Sequence, residues 1–401
     1  MKSIPVADGV CWVGAVDWAV RHFHGFHYHT ARGTTYNAYV VTADKTALVD
    51  TVHAPFTAEF LERLGTVVPP ERLDYVVVNH VELDHAGALP AILERAPQAT
   101  VVCTRAGEKG LRDHFGANWN FRTVRTGDEI DLGGRKLRFI EAPMLHWPDS
   151  MFTYVPDSEV LLSNDAFGQH LATGGRFDDE TPLDVIMDEA SKYYAGILTP
   201  YNAQVVRKLE ELPALGVAPR IIAPSHGVIW RTHVSDIVAA YSRWATSPGE
   251  ARVVIVFDTM YGATAGMARD IAEGVLSAGV GVRLFEVAQS DHTEIIRDIV
   301  EARGLAVGCP TLNKRMLPST AELLEGLLGL RPAGKIGLAF GAHGWGGGAV
   351  AAIEEVLTAA GVSLQESLKV RYRPTAEDRA ACVEAGRRLA AAITPAGAET
   401  A

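Results

Sequence analysis

Metal-ligand side chains are concentrated in the run His80-Val81-Glu82-Leu83-Asp84-His85. Two imidazoles and two carboxylates fall within six residues there, directly after the apolar segment 75–78, which has the pattern of a buried strand. Each of these side chains would be costly to bury without a partner. A metal ion supplies that partner, so the spacing H-x-E-x-D-H predicts a metal site at the exit of this strand.

Three further metal-ligand candidates follow predicted strand ends in the same half of the chain. They are His146, Asp165 and His226, and each is flanked by proline, glycine or asparagine. With the first run they make four imidazoles and three carboxylates, too many for one tetrahedral zinc ion but suited to two metals that share a carboxylate. Because a carboxylate-rich set containing imidazoles favours iron, we expect redox chemistry rather than hydrolysis.

The secondary-structure elements that must position these residues fall into two stretches, which differ in the order of their strands and helices. Before the turn-rich segment 246–250, short strands form hairpins that helices interrupt. This pattern predicts two packed sheets covered by helices, an αββα sandwich, which we place at residues 1–248. The expected hairpins are 38–42 with 46–50 and 129–132 with 136–140, and the expected helices are 55–64 and 87–95.

Beyond that segment, apolar strands alternate strictly with helices. The expected strands are 253–257, 282–287, 305–308, 336–340 and 368–372. The expected helices are 266–278, 293–301, 320–328, 349–360 and 376–392. Such alternation predicts an α/β domain with a parallel, doubly wound sheet at residues 252–395, and a ligand site beyond the carboxyl ends of its strands.

Three loops at these strand ends have the composition of a site for a phosphate group and a flat ring. The first, Thr259-Met260-Tyr261-Gly262-Ala263-Thr264, offers hydroxyl and backbone N–H groups at a helix N-terminus, where a phosphate binds well. The others are Pro310-Thr311-Leu312-Asn313 and Gly341-Ala342-His343-Gly344-Trp345-Gly346-Gly347. Glycines let the backbone approach a ring system, and Trp345 can stack on it. Together the loops resemble those of flavodoxins, so FMN is the expected cofactor.

The metal-ligand pattern resembles that of the metallo-β-lactamase superfamily, whose motif is H-x-H-x-D-H followed by a distant His, Asp and His. Here Glu82 stands in place of the second histidine. That replacement is similar to the flavodiiron proteins, and the resemblance covers nearly the whole chain. It also rests on the phrases His24-Gly25, Arg32-Gly33-Thr34-Thr35-Tyr36-Asn37-Ala38-Tyr39 and Leu145-His146-Trp147-Pro148-Asp149-Ser150-Met151.

The resemblance implies two irons held by the seven candidate ligands. One iron would be held by His80, Glu82 and His146, the other by Asp84, His85 and His226, with Asp165 bridging them. In some relatives the histidine at position 85 turns away and water replaces it. His24, His170 and Tyr193 would act around the metals, and Phe26 stands where the family often has a tyrosine.

The implied activity is reduction of O2 to water, of NO to N2O, or of both, with electrons from FMN. The resemblance also implies a head-to-tail homodimer. The tail after residue 392 is short and polar, so we expect the minimal two-domain form with a separate electron donor: rubredoxin, a reduced deazaflavin or a nicotinamide-dependent reductase. The alternatives are a zinc-dependent hydrolase with a flavodoxin domain and a diiron oxygen sensor; a pure electron carrier leaves the seven ligands unexplained.

The composition indicates a protein of the cytoplasm. The 401 residues carry a formal net charge of −11 and no Lys/Arg-rich run, which argues against nucleic acid and anionic membranes as partners. We find no apolar stretch near the roughly 18 residues of a membrane-spanning helix, and no signal peptide. Cys11, Cys103, Cys309 and Cys382 are scattered and form no C-x-x-C, so we expect buried thiols.

Overall fold

The computed structural model describes residues 2–23, 28–116 and 118–394. They form two compact units, the first ending at Ala245 and the second beginning at Thr246. Two short stretches, residues 28–29 and 195–200, group with the second unit. Within the described ranges, no helix combines the length and the hydropathy needed to cross a membrane.

The first unit is built on two mixed sheets. The strands that precede the second unit's sheet are β1 (Ile4–Ala7), β2 (Val10–Trp12), β3 (Ala15–Asp17), β4 (His22–Phe23), β5 (Tyr28–His29), β6 (Thr34–Tyr36), β7 (Tyr39–Thr42), β8 (Thr46–Val49), β9 (Tyr75–Val77), β10 (Thr100–Cys103), β11 (Phe121–Thr123), β12 (Glu129–Asp131), β13 (Lys136–Glu141), β14 (Met151–Val155), β15 (Val160–Asn164) and β16 (Ile221–Pro224). One sheet has the order β1-β2-β7-β8-β9-β10-β11 and the other the order β12-β13-β14-β15-β16, while β3 pairs with β6.

Helices cover these sheets. They are α1 (Thr57–Leu64), α2 (Leu83–Ala86), α3 (Leu89–Arg95), α4 (Arg105–Phe115), α5 (Leu183–Tyr193), α6 (Asn202–Ala214) and α7 (Val234–Thr246). On β9, Val76 packs into the cluster that contains Leu89 and Ile92 of α3. Its neighbour Val77 packs into the cluster between the two sheets, which contains Phe139. A strand buried on both faces explains the unbroken valine run, and the expected αββα sandwich is confirmed.

The second unit is a parallel sheet between helices. Its strands are β17 (Glu250–Phe257), β18 (Gly281–Glu286), β19 (Ala302–Gly308), β20 (Ile336–His343), β21 (Ser363–Leu364) and β22 (Leu368–Arg371). Its helices are α8 (Ala263–Ser277), α9 (His292–Glu301), α10 (Pro318–Leu330), α11 (Ala349–Ala359) and α12 (Ala376–Ile393). The order β18-β17-β19-β20, with β21 and β22 both parallel to β20, confirms the doubly wound sheet. The ends of β17, β19 and β20 therefore open at one edge.

Element bounds differ from the expectation at the metal-ligand run. We expected a loop there and one helix over 87–95, whereas α2 begins at Leu83 and α3 at Leu89. Gly87 separates them, and a Cβ at this position would lie 2.4 Å from the Leu83 carbonyl oxygen and 2.7 Å from the Ala54 nitrogen. The chain turns here through a space that only glycine fits.

A buried lysine fastens the start of the second unit. Lys335 is 2% exposed, and its Nζ donates hydrogen bonds to the carbonyl oxygens of Pro248 at 3.1 Å, Val300 at 2.6 Å and Ala302 at 2.6 Å. Burial lowers the pKa of Lys335 to about 7, although the charge of Glu301 opposes this effect. The ammonium thus joins the segment before β17 to the starts of β19 and β20.

Replacing this lysine with methionine should destabilise the second unit. K335M keeps most of the side-chain volume but leaves three carbonyl groups without their donor, so we expect the free energy of unfolding to fall by about 2–4 kcal/mol. Between pH 7 and about 10 the unfolded chain binds the Lys335 proton more tightly than the folded chain does. The free energy of unfolding of the wild type should therefore increase with pH, relative to that of K335M. Denaturant unfolding at several pH values measures both effects.

The exposed Lys369, also in the second unit, provides the control. K369M should change stability by less than about 0.5 kcal/mol at every pH. A constant difference between wild type and K335M from pH 7 to 10 would contradict the account of Lys335.

Candidate metal centre and flavin loops

Seven titratable side chains converge at strand ends in the first unit. His80 follows β9, His146 lies between β13 and β14, and Asp165 directly follows β15. His226 lies two residues beyond β16. The structure brings together all seven side chains singled out from the sequence as two groups: His80, Glu82, His146 and Asp165 in one, and Asp84, His85 and His226 in the other.

In the first group, imidazole nitrogens face carboxylate oxygens. The Oε2 atom of Glu82 lies 3.3 Å from Nε2 of His80 and 3.3 Å from Nε2 of His146. The Oδ2 atom of Asp165 lies 3.4 Å from Nε2 of His146 and 3.7 Å from Nε2 of His80. Ligand atoms about 2.1 Å from one metal lie roughly 3.0–3.4 Å from each other at tetrahedral or octahedral angles, so three of these spacings fit one ion and the fourth is slightly longer.

The second group repeats this arrangement on the other oxygen of Asp165. The Oδ1 atom of Asp165 lies 3.1 Å from Nε2 of His85 and 3.6 Å from Nε2 of His226. Asp84 contributes Oδ1, 3.3 Å from His85 Nε2, and Oδ2, 3.1 Å from His226 Nε2. The two oxygens of Asp165 thus face different groups, as in a bridging carboxylate, and His85 turns its Nε2 toward the centre.

Buried polar atoms at the centre are left without hydrogen bonds. Among the described residues, Nε2 of His80, Oδ1 of Asp84 and Oδ2 of Asp165 are buried and have no hydrogen-bond partner. Such atoms are costly unless something coordinates them. The donor set of four nitrogens and three carboxylates fits two metal ions of the kind that bind both imidazole and carboxylate.

Two outer groups fix which ring nitrogen faces the centre. Oδ2 of Asp149 lies 3.0 Å from His80 Nδ1 and accepts the backbone N–H of Val81 at 2.8 Å. Nδ1 of His226 lies 2.6 Å from the carbonyl oxygen of Thr35. These contacts orient the imidazoles as ligands. We did not predict either group: Asp149 occurs in the phrase around His146, three residues after it, whereas the contribution of Thr35 comes from its backbone.

Asp50 joins the strand ends that carry His80 and Asp165. It is buried with φ 58°, and it accepts hydrogen bonds from the backbone N–H of Asn79 at 2.7 Å and from Nδ2 of Asn164 at 3.2 Å. Burial raises the pKa of Asp50 to about 6, against the charge of His85 and the Asn79 hydrogen bond. Asn79 and Asn164 immediately precede His80 and Asp165, so Asp50 sets the spacing between the two ligand strands.

Three imidazoles of the site, those of His80, His85 and His146, strongly favour the charged form in the absence of a metal. Burial opposes protonation of His80, but the neighbouring carboxylates of Asp149 and Glu82 outweigh it and raise the pKa of His80 to about 10. Burial is outweighed by nearby carboxylates at His85 and His146 as well, and the pKa of each rises to about 9. Burial alone would raise the pKa of Asp165, yet His85 and His146 hold it well below its usual range.

Two of the three residues predicted to act around the metals lie beside the centre. The ring of His170 lies 5.0 Å from the His226 ring, and its Nδ1 is 2.9 Å from Oγ1 of Thr34. The ring of Tyr193 lies 5.0 Å from that of His170, and burial together with the charge of Asp165 raises the pKa of Tyr193 well above its usual value. The third, His24, lies outside the described residues, as does Phe26.

In the second unit, the first flavin loop ends in a helix that no side chain caps. The N-cap of α8 is Gly262, at φ 83°, and its N–H donates to Oγ1 of Thr259 at 3.0 Å. Oγ1 of Thr264 is buried and has no hydrogen-bond partner among the described residues. Free backbone N–H groups beside an unpaired hydroxyl at the start of a 15-residue helix suit a phosphate group.

The second and third loops are held to each other. Oγ1 of Thr311 accepts the N–H groups of Gly348 and Ala349 at 3.2 and 3.3 Å, so it caps α11 and is engaged within the fold. The expected third loop begins later than predicted, because Gly341, Ala342 and His343 are the end of β20 and pair with β22. Tyr261 of the first loop and Trp345 of the third are each 93% exposed, as stacking partners for a flat ring would be.

Comparison with known proteins assigns both units. A family model described as "Flavodoxin" matches residues 255–386, and one described as "ODP family beta lactamase" matches residues 34–227. A protein of Moorella thermoacetica named nitric oxide reductase is 50% identical over 98% of this chain and 99% of its own.

Two solved structures are similar over nearly the whole chain. The rubredoxin oxygen:oxidoreductase of Desulfovibrio gigas is 39% identical with a TM-score of 0.95, over 98% of each chain. The flavodiiron protein of Giardia intestinalis is 35% identical with a TM-score of 0.94, over 98% of this chain and 97% of that one. This chain, with its metallo-β-lactamase-like and flavodoxin-like units, belongs to the flavodiiron protein family.

Proposed function

We propose that this protein is an oxidoreductase that reduces O2 to water, NO to N2O, or both. The observation that carries the proposal is the seven-ligand cluster sharing Asp165, in one chain with three flavin-type loops. The names of two relatives, nitric oxide reductase and rubredoxin oxygen:oxidoreductase, support it. Glu82 adds a carboxylate where a zinc hydrolase of this fold has a histidine, which favours iron.

The metal ligands follow from the two groups. His80, Glu82 and His146 would hold one iron, Asp84, His85 and His226 the other, and Asp165 would bridge them. When bound, the iron pair supplies an open coordination position for a small gas and the electrons to reduce it. Asp149 and the Thr35 carbonyl keep two imidazoles oriented, while the rings of Tyr193 and His170 lie beside His226 and would border the iron pair.

FMN would bind at the edge formed by the ends of β17, β19 and β20. The N-terminus of α8, with Thr259 and Thr264, would receive the phosphate. Tyr261 and Trp345 would contact the isoalloxazine ring. A separate donor must reduce the FMN, and we propose rubredoxin, a reduced deazaflavin or a nicotinamide-dependent reductase in that role.

We propose a head-to-tail homodimer, in which the FMN of one subunit serves the irons of its partner. Such an assembly is a closed C2 dimer with one repeated interface. Light scattering of the active protein tests it. We expect the mass of a dimer or a dimer of dimers, and a fully active monomer at the working concentration would refute it.

Flavin reoxidation is the direct test of the activity. FMN is reduced anaerobically, and the protein is mixed separately with O2 and with NO while flavin absorbance is followed. Reoxidation should be fast with at least one gas, and the ratio of the two rates gives the preference. Two zinc ions and no iron per chain, in protein purified without added metals, would instead favour the hydrolase alternative.

Removing the shared carboxylate should weaken iron binding and leave FMN binding unchanged. D165N should lose at least about tenfold in iron affinity, because it takes one anionic ligand from both groups, and flavin reoxidation should slow in parallel. FMN content should stay at the wild-type level. The exposed Asp184 gives the control, since D184N should keep iron, FMN and activity. Wild-type iron content in D165N would contradict the bridging role.

Metal binding should release protons. In metal-free protein at pH 7, His80, His85 and His146 hold protons, since their pKa values lie at about 9–10, and each must lose its proton to bind a metal. We expect about two to three protons released per chain, and affinity that falls as pH falls. Calorimetry of Fe²⁺ binding in buffers of different ionisation enthalpy counts them.

The matched variant is D149N, because the Asp149 hydrogen bond is the main interaction that raises the pKa of His80. This variant should release about one proton fewer than the wild type. Equal proton release by both proteins would contradict the role of Asp149, and release of less than one proton by the wild type would show that the imidazoles are already neutral before the metal binds.

A further inference from the structure

A cavity in the first unit leads to the metal-ligand cluster. Its volume is about 500 Å³, and the carboxylates of Glu82 and Asp84 form part of its wall. Phe56 and Leu83 are among its apolar lining, while the exposed His22 also borders it. The cavity is wide enough for a chain of water molecules between solvent and the two ligand carboxylates.

Two of its polar groups are already engaged. Oδ1 of Asp17 accepts the backbone N–H groups of Ala19 and Val20, each at 2.9 Å. Tyr36 is 2% exposed, and burial, followed by the charges of Asp17 and Asp84 and a hydrogen bond to Asp17, raises the pKa of Tyr36 above its usual range. The phenol therefore keeps its proton at every working pH.

His53 differs from these neighbours. Its Nδ1 atom is buried and has no hydrogen-bond partner among the described residues, although the side chain as a whole is half-buried. The ring centroid lies 5.5 Å from that of Tyr36, and the His53 carbonyl accepts the N–H of Phe56 at 2.9 Å, which fixes the turn before α1. The half-buried His53 side chain thus lines the route to Glu82 and Asp84, with its Nδ1 turned away from solvent.

Reduction of either gas consumes protons as well as electrons. One O2 takes up four electrons and four protons to give two water molecules, and two NO take up two of each to give N2O and one water molecule. A proton donor near the site that recovers its proton from solvent accelerates such a reaction. Histidine is the side chain best suited to change charge between pH 5 and 8.

We propose that His53 passes protons from solvent, through water in this cavity, to the gas being reduced at the metal centre. The inference rests on the proposed function. The imidazolium gives its proton to a cavity water, which passes a proton inward, and the neutral ring takes another from solvent at the cavity mouth. The charged and titratable groups that face His53 across the cavity are Asp17, His22, Tyr36, Glu82 and Asp84. His53 is a positioning residue here, because it acts on the gas through water.

The test compares H53Q, which keeps a polar side chain that cannot carry charge, with H22Q, its matched control on the same cavity. Reduced, iron-loaded protein is mixed with O2 or NO at pH 5.5–8.5, in H2O and in D2O. H53Q should slow flavin reoxidation by about tenfold to a hundredfold at saturating gas, flatten its pH profile and leave the KM for gas unchanged. H22Q should match the wild type, and added imidazole should restore part of the rate in H53A.

Two readouts besides activity accompany the kinetics. Iron and FMN contents of H53Q should equal those of the wild type, which excludes a collapsed centre. In metal-free protein, nitrogen NMR of the His53 ring, assigned by its absence in H53Q, should show that the ring exchanges its proton with water.

The possible results distinguish the role of His53 from the proposed function on which it rests. If the wild type reoxidises its flavin and H53Q does so at the same rate with the same pH profile, the role of His53 falls and the proposed function stands. The role also falls if H22Q and not H53Q is slow, or if the His53 ring does not exchange its proton with water. If neither gas reoxidises the wild type, both proposals fall together.

Discussion

Mutual neutralisation of buried charge is the interaction on which the first unit depends. Four imidazoles and three carboxylates meet at one junction, where isolated charges would each cost several kcal/mol to bury. Their contacts of 3.1–3.7 Å show that each carboxylate faces imidazoles, and His80, His85 and His146 take up protons when no metal is present. The strand ends must hold these groups close together, because removing one of them would leave its partners buried without an opposite charge.

The surrounding fold provides that restraint in successive layers. Asp50 ties the exits of two ligand strands through Asn79 and Asn164, and Asp149 holds both the ring of His80 and the backbone beside it. The flavodoxin-like unit solves a similar problem with backbone groups: the start of α8 offers N–H donors, and Thr311 locks two loops together. One unit gathers side chains suited to cations, and the other offers main-chain N–H groups suited to an anion.

Much of this arrangement could be predicted from the sequence, because ligand type and spacing are local. The seven side chains that meet in the structure are those singled out by motif and strand end. Asp149 and Thr35 were missed because their roles require neighbours 69 and 191 residues away. Strand β17 begins at Glu250 rather than 253 because pairing with Ala302 extends it, and β20 continues through His343 because β22 lies beside it. Tertiary pairing set these bounds, whereas the hydrophobic pattern alone ended earlier.

The position of Asp165 has a consequence for how a population of these molecules fills with metal. In the proposed centre both positions would share the carboxylate of Asp165, so a first ion would fix a ligand that the second also needs. Occupation of one position would then favour occupation of the other, which is positive cooperativity. When iron is scarce, molecules would divide into empty and doubly filled forms with few in between. Scarcity would then lower the number of working centres and leave the properties of each one unchanged.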